Sequence, residues 1–331
     1  MGQAALGPWP VAAVALEGVR LRPPPVALPP DLTMRHPVAF IIFNRSDTAG
    51  QVFARIREAR PPMLLVIADG PRTHRSGEAE RCAAVRRLVL DGVDWPCEVR
   101  TCFSEVNLGC RKRVSSGISW VFEQVERAVI LEDDCLPDPS FFAYCDHLLE
   151  RYAEDERVTH IAGTDYTLDA TGPASWRWAR LYPIWGWATW RRAWRSYDPD
   201  LADWSSFSTS GFAAAVPPHA RRGYWREVFA KMHAGFDTWD YQWILACWRQ
   251  HGLAAIPARN LISNIGFGDG ATHTRRRTPL ADLPLGSLAE PFIAPSDMVP
   301  DARWEAEVHR RQYARPWLLR RLADVLRRCR R

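Results

Sequence analysis

The chain has 331 residues, of which 47% are hydrophobic and 24% are charged, and it carries a formal net charge of +5 at pH 7. This length and composition fill the core of one large or two ordinary domains, so size alone permits a compact enzyme. No stretch approaches the roughly 20 uninterrupted apolar residues of a transmembrane helix, which excludes a membrane-spanning protein and predicts a soluble one.

The positive charge lies at the C-terminal end, where residues 301–331 contain ten arginines and four acidic residues. The remainder of the chain is close to neutral, so we predict no nucleic-acid partner. The eight cysteines form no CxxC pair, which is typical of reduced structural thiols and predicts a cytoplasmic protein.

Residues 1–34 are rich in proline and have no basic segment before their short apolar run, so they do not resemble a signal peptide. Met34 directly precedes the first strand. We expect residues 1–34 to be a disordered leader or the result of a start placed too early.

Apolar runs at 38–43 and 63–68 predict two buried parallel strands. Residues 48–59 between them have helical spacing, and Ser46 or Asp47 is the expected N-cap. The three elements together form a βαβ unit.

Further elements alternate up to about residue 150. The pattern predicts helices at 77–90, 114–125 and 141–152 and strands at 98–103 and 128–131. Such alternation is typical of an α/β fold with a mostly parallel sheet flanked by helices. Beyond residue 150 the composition becomes rich in aromatic residues, because eleven of the sixteen tryptophans fall between positions 176 and 248.

Three consecutive carboxylates, Glu132, Asp133 and Asp134, follow the last of these strands. The first two strands end at Arg45 and Asp69, and the carboxyl ends of parallel strands meet at one edge of the sheet. Adjacent carboxylates repel one another unless a cation compensates them. Oxygen ligands of this kind favour Mn²⁺ or Mg²⁺ that bridges the phosphates of a nucleotide.

A solvated acidic turn, with Asp138 and Pro139 beginning the next helix, is the alternative interpretation. A P-loop NTPase and a GxGxxG dehydrogenase are excluded, because residues 44–48 after the first strand read NRSDT. A receiver domain has acidic strand ends, but it has no need for the aromatic second half.

Four blocks in this order resemble metal-dependent glycosyltransferases of the GT-A fold, a bacterial family distantly like the N-acetylglucosaminyltransferase that begins complex N-glycans. They read AFIIFNR (39–45), VILEDDCLPDPSFF (129–142), LYPIWGWATWRRAW (181–194), and TWDYQW (238–243) followed by NIGFGDGATHT (264–274). The resemblance implies a GT-A-type, Rossmann-like domain at 35–290, with a nucleotide-sugar half at 35–160 and an aromatic-rich acceptor half at 161–290. Residues 291–331 form a basic tail outside it.

Site roles follow from the resemblance position by position. It implies that Arg45 and Asp69 contact the nucleotide, with Asp69 near the base. Glu132 and Asp133 face the sugar and the ribose, and Asp134 binds the metal.

The turn at 107–109 precedes two arginines, Arg111 and Arg113, that are placed to reach phosphate. We favour Arg113; a favourable charge at a helix start is the alternative.

Asp240 matches the catalytic base of inverting relatives. Such a base must approach the acceptor hydroxyl. The alternative is that Asp240 caps the helix carrying Trp243, and Asp165 and Asp237 are its competitors as base.

Indole rings stack on sugars and donate to their hydroxyls. We expect Trp187 and Trp239 to be exposed and to contact the acceptor, whereas Trp190, Trp243 and Trp248 are expected to be buried. His273 lies in a glycine-rich segment that resembles a lid, where it adds a metal ligand or a phosphate contact; a solvated loop histidine is the alternative.

Residues 317–331 place apolar residues along one helical face and arginines on the others. This pattern is typical of a helix on an anionic membrane surface, with packing against the domain as the alternative.

The sequence therefore predicts a cytoplasmic enzyme, peripheral at the inner face of the membrane. It moves a sugar from a nucleotide-sugar donor, a UDP-sugar, to a glycan or lipid-linked acceptor with inversion. A non-catalytic carbohydrate-binding protein and a metal-dependent nucleotidyltransferase are the rival hypotheses.

Overall fold

A computed structural model describes residues 34–168, 172–218, 220, 222–267 and 283–313. The strands in these residues are β1 Val38–Ile42, β2 Met63–Ala68, β3 Glu98–Phe103, β4 Arg127–Glu132, β5 Cys135–Pro137, β6 Val158–Ala162, β7 Trp176–Ala179, β8 Trp187–Trp190, β9 Leu253–Pro257 and β10 Ile262–Asn264. The leader at 1–33, His273 and the predicted tail helix at 317–331 lie outside the described residues.

Helices flank the strands. They are α1 Ser46–Ala59, α2 Glu78–Gly92, α3 Gly109–Gln124, α4 Ser140–Arg151, α5 Arg191–Trp194, α6 Trp204–Ser210, α7 Phe212–Ala215, α8 Arg222–His233, α9 Asp240–Arg249 and α10 Ala302–Val308, and one turn of π-helix, His309–Tyr313, follows the last. Within the described part of the chain, no helix is both long and apolar enough to cross a membrane.

The main sheet has eight strands in the order β3-β2-β1-β4-β8-β6-β9-β7. The first four run parallel, and β8 and β7 run antiparallel to their neighbours. This Rossmann-like arrangement confirms the predicted α/β class. From β1 the chain adds β2 and β3 on one side and then returns to place β4 on the other, so the topological switch point lies between β1 and β4.

Apolar continuity explains the parallel half. All five residues of β1 are buried, as expected for a strand covered by helices on both faces. The helix N-cap prediction at Ser46 or Asp47 is wrong, because α1 already begins at Ser46 and Arg45 is its N-cap, without a side-chain capping bond. Arg45 points its guanidinium to carboxylates after β4 instead.

A small second sheet closes over the acidic segment. Strand β5, directly after the carboxylates, pairs antiparallel with β10. Beyond β10 the backbone N–H of Ile265 donates to the Asp134 carbonyl at 2.8 Å. Asp138 accepts from the Ser140 N–H at 3.0 Å where α4 begins, as predicted. The ladder therefore positions residues 264–267 against the end of β4.

The second half of the main sheet is packed with indoles. Trp190, Trp243 and Trp248 are buried as predicted. The C-terminal part of the described chain joins this core, since Trp304 is buried and its Nε1 donates to Asp165 Oδ1 at 2.7 Å. Strands from both halves of the sequence thus share one sheet.

Candidate functional site

A cleft with a volume of about 560 Å³ opens at the switch point, at the carboxyl ends of β1 and β4. Six acidic residues and three arginines line it within the described chain: Asp69, Glu132, Asp133, Asp134, Asp237, Asp240, Arg45, Arg72 and Arg113. The predicted donor-side residues within the described chain are therefore brought together with Asp240, whereas His273 lies outside it. Arg72 is an addition that the sequence did not single out. The excess of carboxylates leaves the cleft negatively charged.

Arg45 bridges two of the three consecutive carboxylates. Its Nη2 donates to Asp133 Oδ1 and, at 2.8 Å, to Asp134 Oδ2. The Phe43 N–H donates to the other Asp133 oxygen at 3.1 Å, so both oxygens of that buried carboxylate are engaged. Burial lowers the pKa of Arg45, but Asp133 and Asp134 outweigh it and raise that pKa above its usual range. One cation is therefore shared between two anions.

Glu132 also lines the cleft. Burial raises its pKa above the ordinary glutamate value, and the charges of Asp134, Asp133 and Asp240 raise it further. Arg45 opposes this shift without cancelling it. Burial and the neighbouring negative charges therefore both disfavour the ionised form of Glu132.

Asp69 accepts hydrogen bonds from the loop that follows β3. Its carboxylate accepts backbone N–H groups from Gly70 and Leu108 at 2.9 Å and from Gly109 at 3.1 Å. The Asn107 Nδ2 donates to it at 3.0 Å. Burial raises the pKa of Asp69, and these backbone donors lower it in part. The residue caps the start of α3 from outside that helix.

A second carboxylate satisfies the same helix start. Asp237 Oδ1 accepts the Arg111 N–H at 2.8 Å. The N-terminus of α3 is thus already occupied by two side chains and is not an open anion site, although helix starts commonly bind phosphate.

Arginines divide between the cleft and the surface. Arg111, one of the two predicted phosphate ligands, pairs with Asp200 and donates to the Pro199 carbonyl at 3.0 Å. Arg113 lines the cleft and is 5% exposed, and its Nε–H has no acceptor among the described residues. Its Nη2 donates to Cys102 Sγ at 3.2 Å, so Arg113 adds a guanidinium charge to the cleft wall.

A polar cluster holds the strand ends in place. The fully buried Glu78 accepts from the Arg72 N–H at 2.7 Å, from the Arg72 guanidinium at 2.5 Å, and from Asn44 Nδ2 at 2.9 Å. These bonds lower the pKa of Glu78 to about 2, with the Arg72 side chain as the largest cause. They join the start of α2 to the ends of β1 and β2. Sequence spacing could not reveal this cluster because its members meet only in the folded sheet.

Asp240 is the first residue of α9, with Trp239 as the N-cap. The Thr238 hydroxyl donates to Asp240 Oδ1 at 2.5 Å. The alternative that Asp240 caps this helix is wrong, because Asp240 already belongs to the helix and no side-chain capping bond is made. A helix start still favours the negative charge of Asp240. Of its two competitors, Asp165 is buried against Trp304 away from the cleft, whereas Asp237 lines it.

The predicted exposure of Trp187 and Trp239 is wrong, because they are 1% and 2% exposed. Their rings stack on each other with centroids 5.7 Å apart. Trp187 also stacks on His160, whose burial lowers its pKa to about 3. Trp187 belongs to β8, which has buried neighbours on both sides, so it has no route to solvent.

Trp185 takes the place in the cleft that was expected for Trp187. It is half-buried, lines the cleft, and meets Phe267 edge to face at 5.8 Å and Tyr166 at 5.9 Å. Gly186, with φ +56°, separates it from β8, and a side chain there would approach Ile262 Cγ1 to 2.7 Å. The turn at Gly186 therefore separates Trp185, which lines the cleft, from Trp187, which is buried in the core.

A divalent cation is compatible with this donor set. The cleft carboxylates supply oxygen ligands, and of the two that Arg45 bridges, Asp134 is the more accessible, with 18% of its side chain exposed against 6% for Asp133. Within the described residues no three His, Cys, Asp or Glu side chains form a ready metal cage. Mg²⁺ and similar ions are commonly held by one or two carboxylates together with substrate phosphates, so a cage is not required.

No family of known proteins and no curated protein matches this chain. Solved structures with a remote likeness to this chain include the following three. The inositol-1-phosphate CTP transferase from T. maritima is 9% identical, and the match covers 68% of this chain and 85% of that chain with a TM-score of 0.35. UDP-glucose pyrophosphorylase complexed with UDP-glucose is 9% identical, and the match covers 48% of this chain and 78% of that chain with a TM-score of 0.27. The 4-diphosphocytidyl-2C-methyl-D-erythritol synthase from Anaerococcus prevotii DSM 20548 is 8% identical, and the match covers 65% of this chain and 96% of that chain with a TM-score of 0.31. At these TM-scores the likeness does not say what this chain binds or transfers.

Proposed function

We propose that this protein is a glycosyltransferase, which moves a sugar from a nucleotide-diphosphate donor, a UDP-sugar, to a hydroxyl of a glycan or lipid-linked acceptor. The observation that carries the proposal is the switch-point cleft, where Arg45, Arg113 and the carboxylates Glu132–Asp134 meet Asp240 from a different part of the fold. Arginines suit phosphate, and a separate carboxylate suits proton transfer from an acceptor.

Donor binding uses the end of the cleft between β1 and β4. Arg113 contributes its guanidinium charge to the diphosphate from the cleft wall, and Arg72, which is paired with Glu78, lines the cleft nearby. Glu132 and Asp133 face the sugar and the ribose, as the resemblance implies. Asp133 is already held by Arg45 and by the Phe43 N–H, which fixes its position before the donor arrives.

Asp134 would hold Mn²⁺ or Mg²⁺, with the donor diphosphate as the other main ligand, and His273 is proposed as a further contact from outside the described residues. A bound divalent cation offsets the charge of the departing diphosphate. It also compensates the excess of carboxylates in the cleft, which would otherwise repel a diphosphate.

Asp240 takes the proton in the chemical step. The acceptor oxygen forms a bond to the anomeric carbon while the bond from that carbon to the diphosphate oxygen breaks. The acceptor proton passes to an Asp240 oxygen, and the nucleoside diphosphate leaves. Thr238, which donates to Asp240 Oδ1, orients the carboxylate for this transfer. Attack from the face opposite the diphosphate inverts the anomeric configuration.

The acceptor lies against Trp185, which replaces Trp187 in this role, and Trp239, although buried, also lines the cleft. The half-buried ring of Trp185 forms part of the cleft wall together with Phe267. An indole wall of this kind packs against the C–H face of a sugar. From the sequence pattern alone, we also propose that the tail at 317–331 contacts a membrane surface and makes the protein peripheral there.

The test is to incubate the full chain with a panel of nucleotide-sugars and Mn²⁺ and to measure the released nucleoside diphosphate. We expect slow release from a UDP-sugar that stops when EDTA is added. Pyrophosphate formed from a nucleoside triphosphate and a sugar phosphate would instead identify a nucleotidyltransferase. Glycan binding without any nucleotide binding would identify a carbohydrate-binding protein.

Metal use has its own readout in calorimetric donor binding. We expect Asp134→Ala to lose the increase in UDP-sugar affinity that Mn²⁺ gives. Asp138→Ala is the matched control, since Asp138 lies in the same acidic segment but contacts Ser140 instead of the cleft. Retention of the full Mn²⁺ effect in Asp134→Ala would exclude Asp134 as the metal ligand.

A further inference from the structure

Asp69, the residue expected near the nucleobase, has no oxygen left for a base. Its Oδ1 accepts from the backbone N–H groups of Gly70 and Leu108, and its Oδ2 accepts from Asn107 Nδ2 and the Gly109 N–H. Two bonds to each carboxylate oxygen fill the usual acceptor sites. A base in this part of the cleft must therefore be recognised by another group.

Asn107 is that group, because its amide has a fixed orientation. The Nδ2 donates at 3.0 Å to Asp69 Oδ2 and at 2.8 Å to the Gly70 carbonyl, which uses both of its hydrogens. A flipped amide would set the Asn107 oxygen against these two acceptors. Oδ1 has no donor among the described residues, and Asn107 is a half-buried residue of the cleft wall.

The location fits the base end of a nucleotide. Asp69 follows β2 and Asn107 follows β3, whereas the proposed phosphate and metal ligands lie at β1 and β4. Strand β2 pairs with β1 on one side and with β3 on the other. A nucleotide with its diphosphate at the switch point therefore has its base directed along the sheet edge toward Asn107.

We propose that Asn107 Oδ1 reads the nucleobase by accepting the ring N–H of a keto base. Uracil and guanine carry such a donor, whereas the corresponding ring nitrogens of cytosine and adenine are acceptors and would repel the amide oxygen. Asp69 acts as a positioning residue that holds the amide in the required orientation. This inference rests on the proposed use of a nucleotide donor, and it assigns the base contact to Asn107 instead of Asp69.

The test compares UMP, GMP, CMP and AMP by calorimetry with the full chain and without metal. We expect UMP or GMP to bind about tenfold or more tightly than CMP and AMP, the loss typical of an acceptor that a bound base covers without offering it a donor. Whether UMP or GMP binds more tightly then shows whether the site prefers uracil or guanine. Equal binding of all four would overturn the base reading.

An unaltered protein gives a second measurement. UMP methylated at N3, or GMP methylated at N1 if GMP is preferred, lacks only the ring donor. We expect about a tenfold weaker affinity than for the parent nucleotide. Unchanged affinity would exclude Asn107 Oδ1 as an acceptor of that hydrogen, and this result does not depend on whether any variant folds.

The variant pair is Asn107→Leu and Asn44→Leu. Asn107→Leu is expected to bring the ratio of UMP (or GMP) to CMP affinity close to one. Asn44 lies at the same edge and bonds Glu78 outside the cleft lining, so its variant is expected to keep the wild-type ratio. A preference retained in Asn107→Leu would overturn the assignment.

The two proposals fail in different ways. Nucleotide-sugars bound with Mn²⁺ but without base preference would overturn the role of Asn107 and leave the transferase proposal intact. A protein that binds no nucleotide and no nucleotide-sugar would overturn both.

Discussion

The two halves of the main sheet differ in their side chains, polar at one half and aromatic at the other, although they form one continuous hydrogen-bonded sheet. Strands β1 to β4 run parallel, and their carboxyl ends place arginines and carboxylates around one cleft. Strands β6 to β9 run in mixed directions and are covered by packed indoles such as Trp187 and Trp243, whose ring centroids lie 5.4 Å apart. Parallel direction collects strand ends at one edge, whereas mixed direction distributes them to both.

Residue type alone therefore does not identify a functional residue in this fold. An acidic residue at the end of a parallel strand is rarely packed into an apolar core, so its position indicates the cleft at the sheet edge. A tryptophan serves equally as core or as binding surface. Experiments that treat the polar edge and the indole core separately test whether this contrast is real.

The largest effect is expected for the proposed base at the polar edge. Asp240→Asn keeps the shape of the side chain but removes proton acceptance, so we expect the transfer kcat to fall by about 10³-fold, within the range of general-base variants. Donor affinity measured by calorimetry should stay within a few-fold of the wild type, because Asp240 acts on the acceptor.

Asp237→Asn is the matched control for that variant. Asp237 lies three residues earlier, lines the same cleft and bonds the Arg111 N–H. We expect its kcat to fall less than tenfold. If Asp237→Asn lost activity and Asp240→Asn retained it, the two carboxylates would have to exchange roles.

The two tryptophans on either side of Gly186 provide the next comparison. Trp187 is 1% exposed, so Trp187→Ala is expected to lower the free energy of unfolding by about 3–5 kcal/mol. Trp185→Ala should cost far less stability and instead raise the KM for the acceptor, because Trp185 lines the cleft. Urea unfolding and acceptor kinetics measure the two effects. Equal stability losses would show that both indoles belong to the core.

The strands of the sheet follow from local sequence more directly than the burial of the indoles does. Strand β2 at Met63–Ala68 and the carboxylates after β4 were predictable because apolar runs and strand-end residues are local features. Burial of Trp187 depends on its stack with Trp239, about fifty residues later in the chain. The Asn107 amide is fixed by Asp69 in the same way, across a gap that no local pattern spans.

Acidification is expected to weaken the polar edge through Glu78. Its pKa is about 2 in the folded protein against an ordinary value of 4.5, so the unfolded chain binds more protons between these values. The stabilisation is complete above pH 4.5 and is lost as the pH falls toward 2. We expect this loss to be on the order of 3 kcal/mol for a buried group with this shift.

Glu78→Gln isolates that contribution. The variant carries no charge at this position, so its free energy of unfolding should fall less steeply than that of the wild type between pH 5 and 2. Denaturant unfolding at several pH values gives both curves. Parallel curves would show that the Arg72 and Asn44 bonds to Glu78 do not depend on its charge.

The smallest effect concerns a glycine that touches the proposed metal ligand. A Cβ at Gly266 would overlap the Asp134 carboxylate, with its Cγ only 2.7 Å away. Gly266→Ala must therefore displace Asp134, and we expect the Mn²⁺-dependent part of UDP-sugar affinity to fall about tenfold, as for changes next to metal ligands. Gly223→Ala in α8 is the control, because its Cβ would meet nothing within 4 Å and alanine favours a helix. If Gly266→Ala kept the Mn²⁺ effect while Asp134→Ala lost it, donor binding would have to move Asp134 away from Gly266.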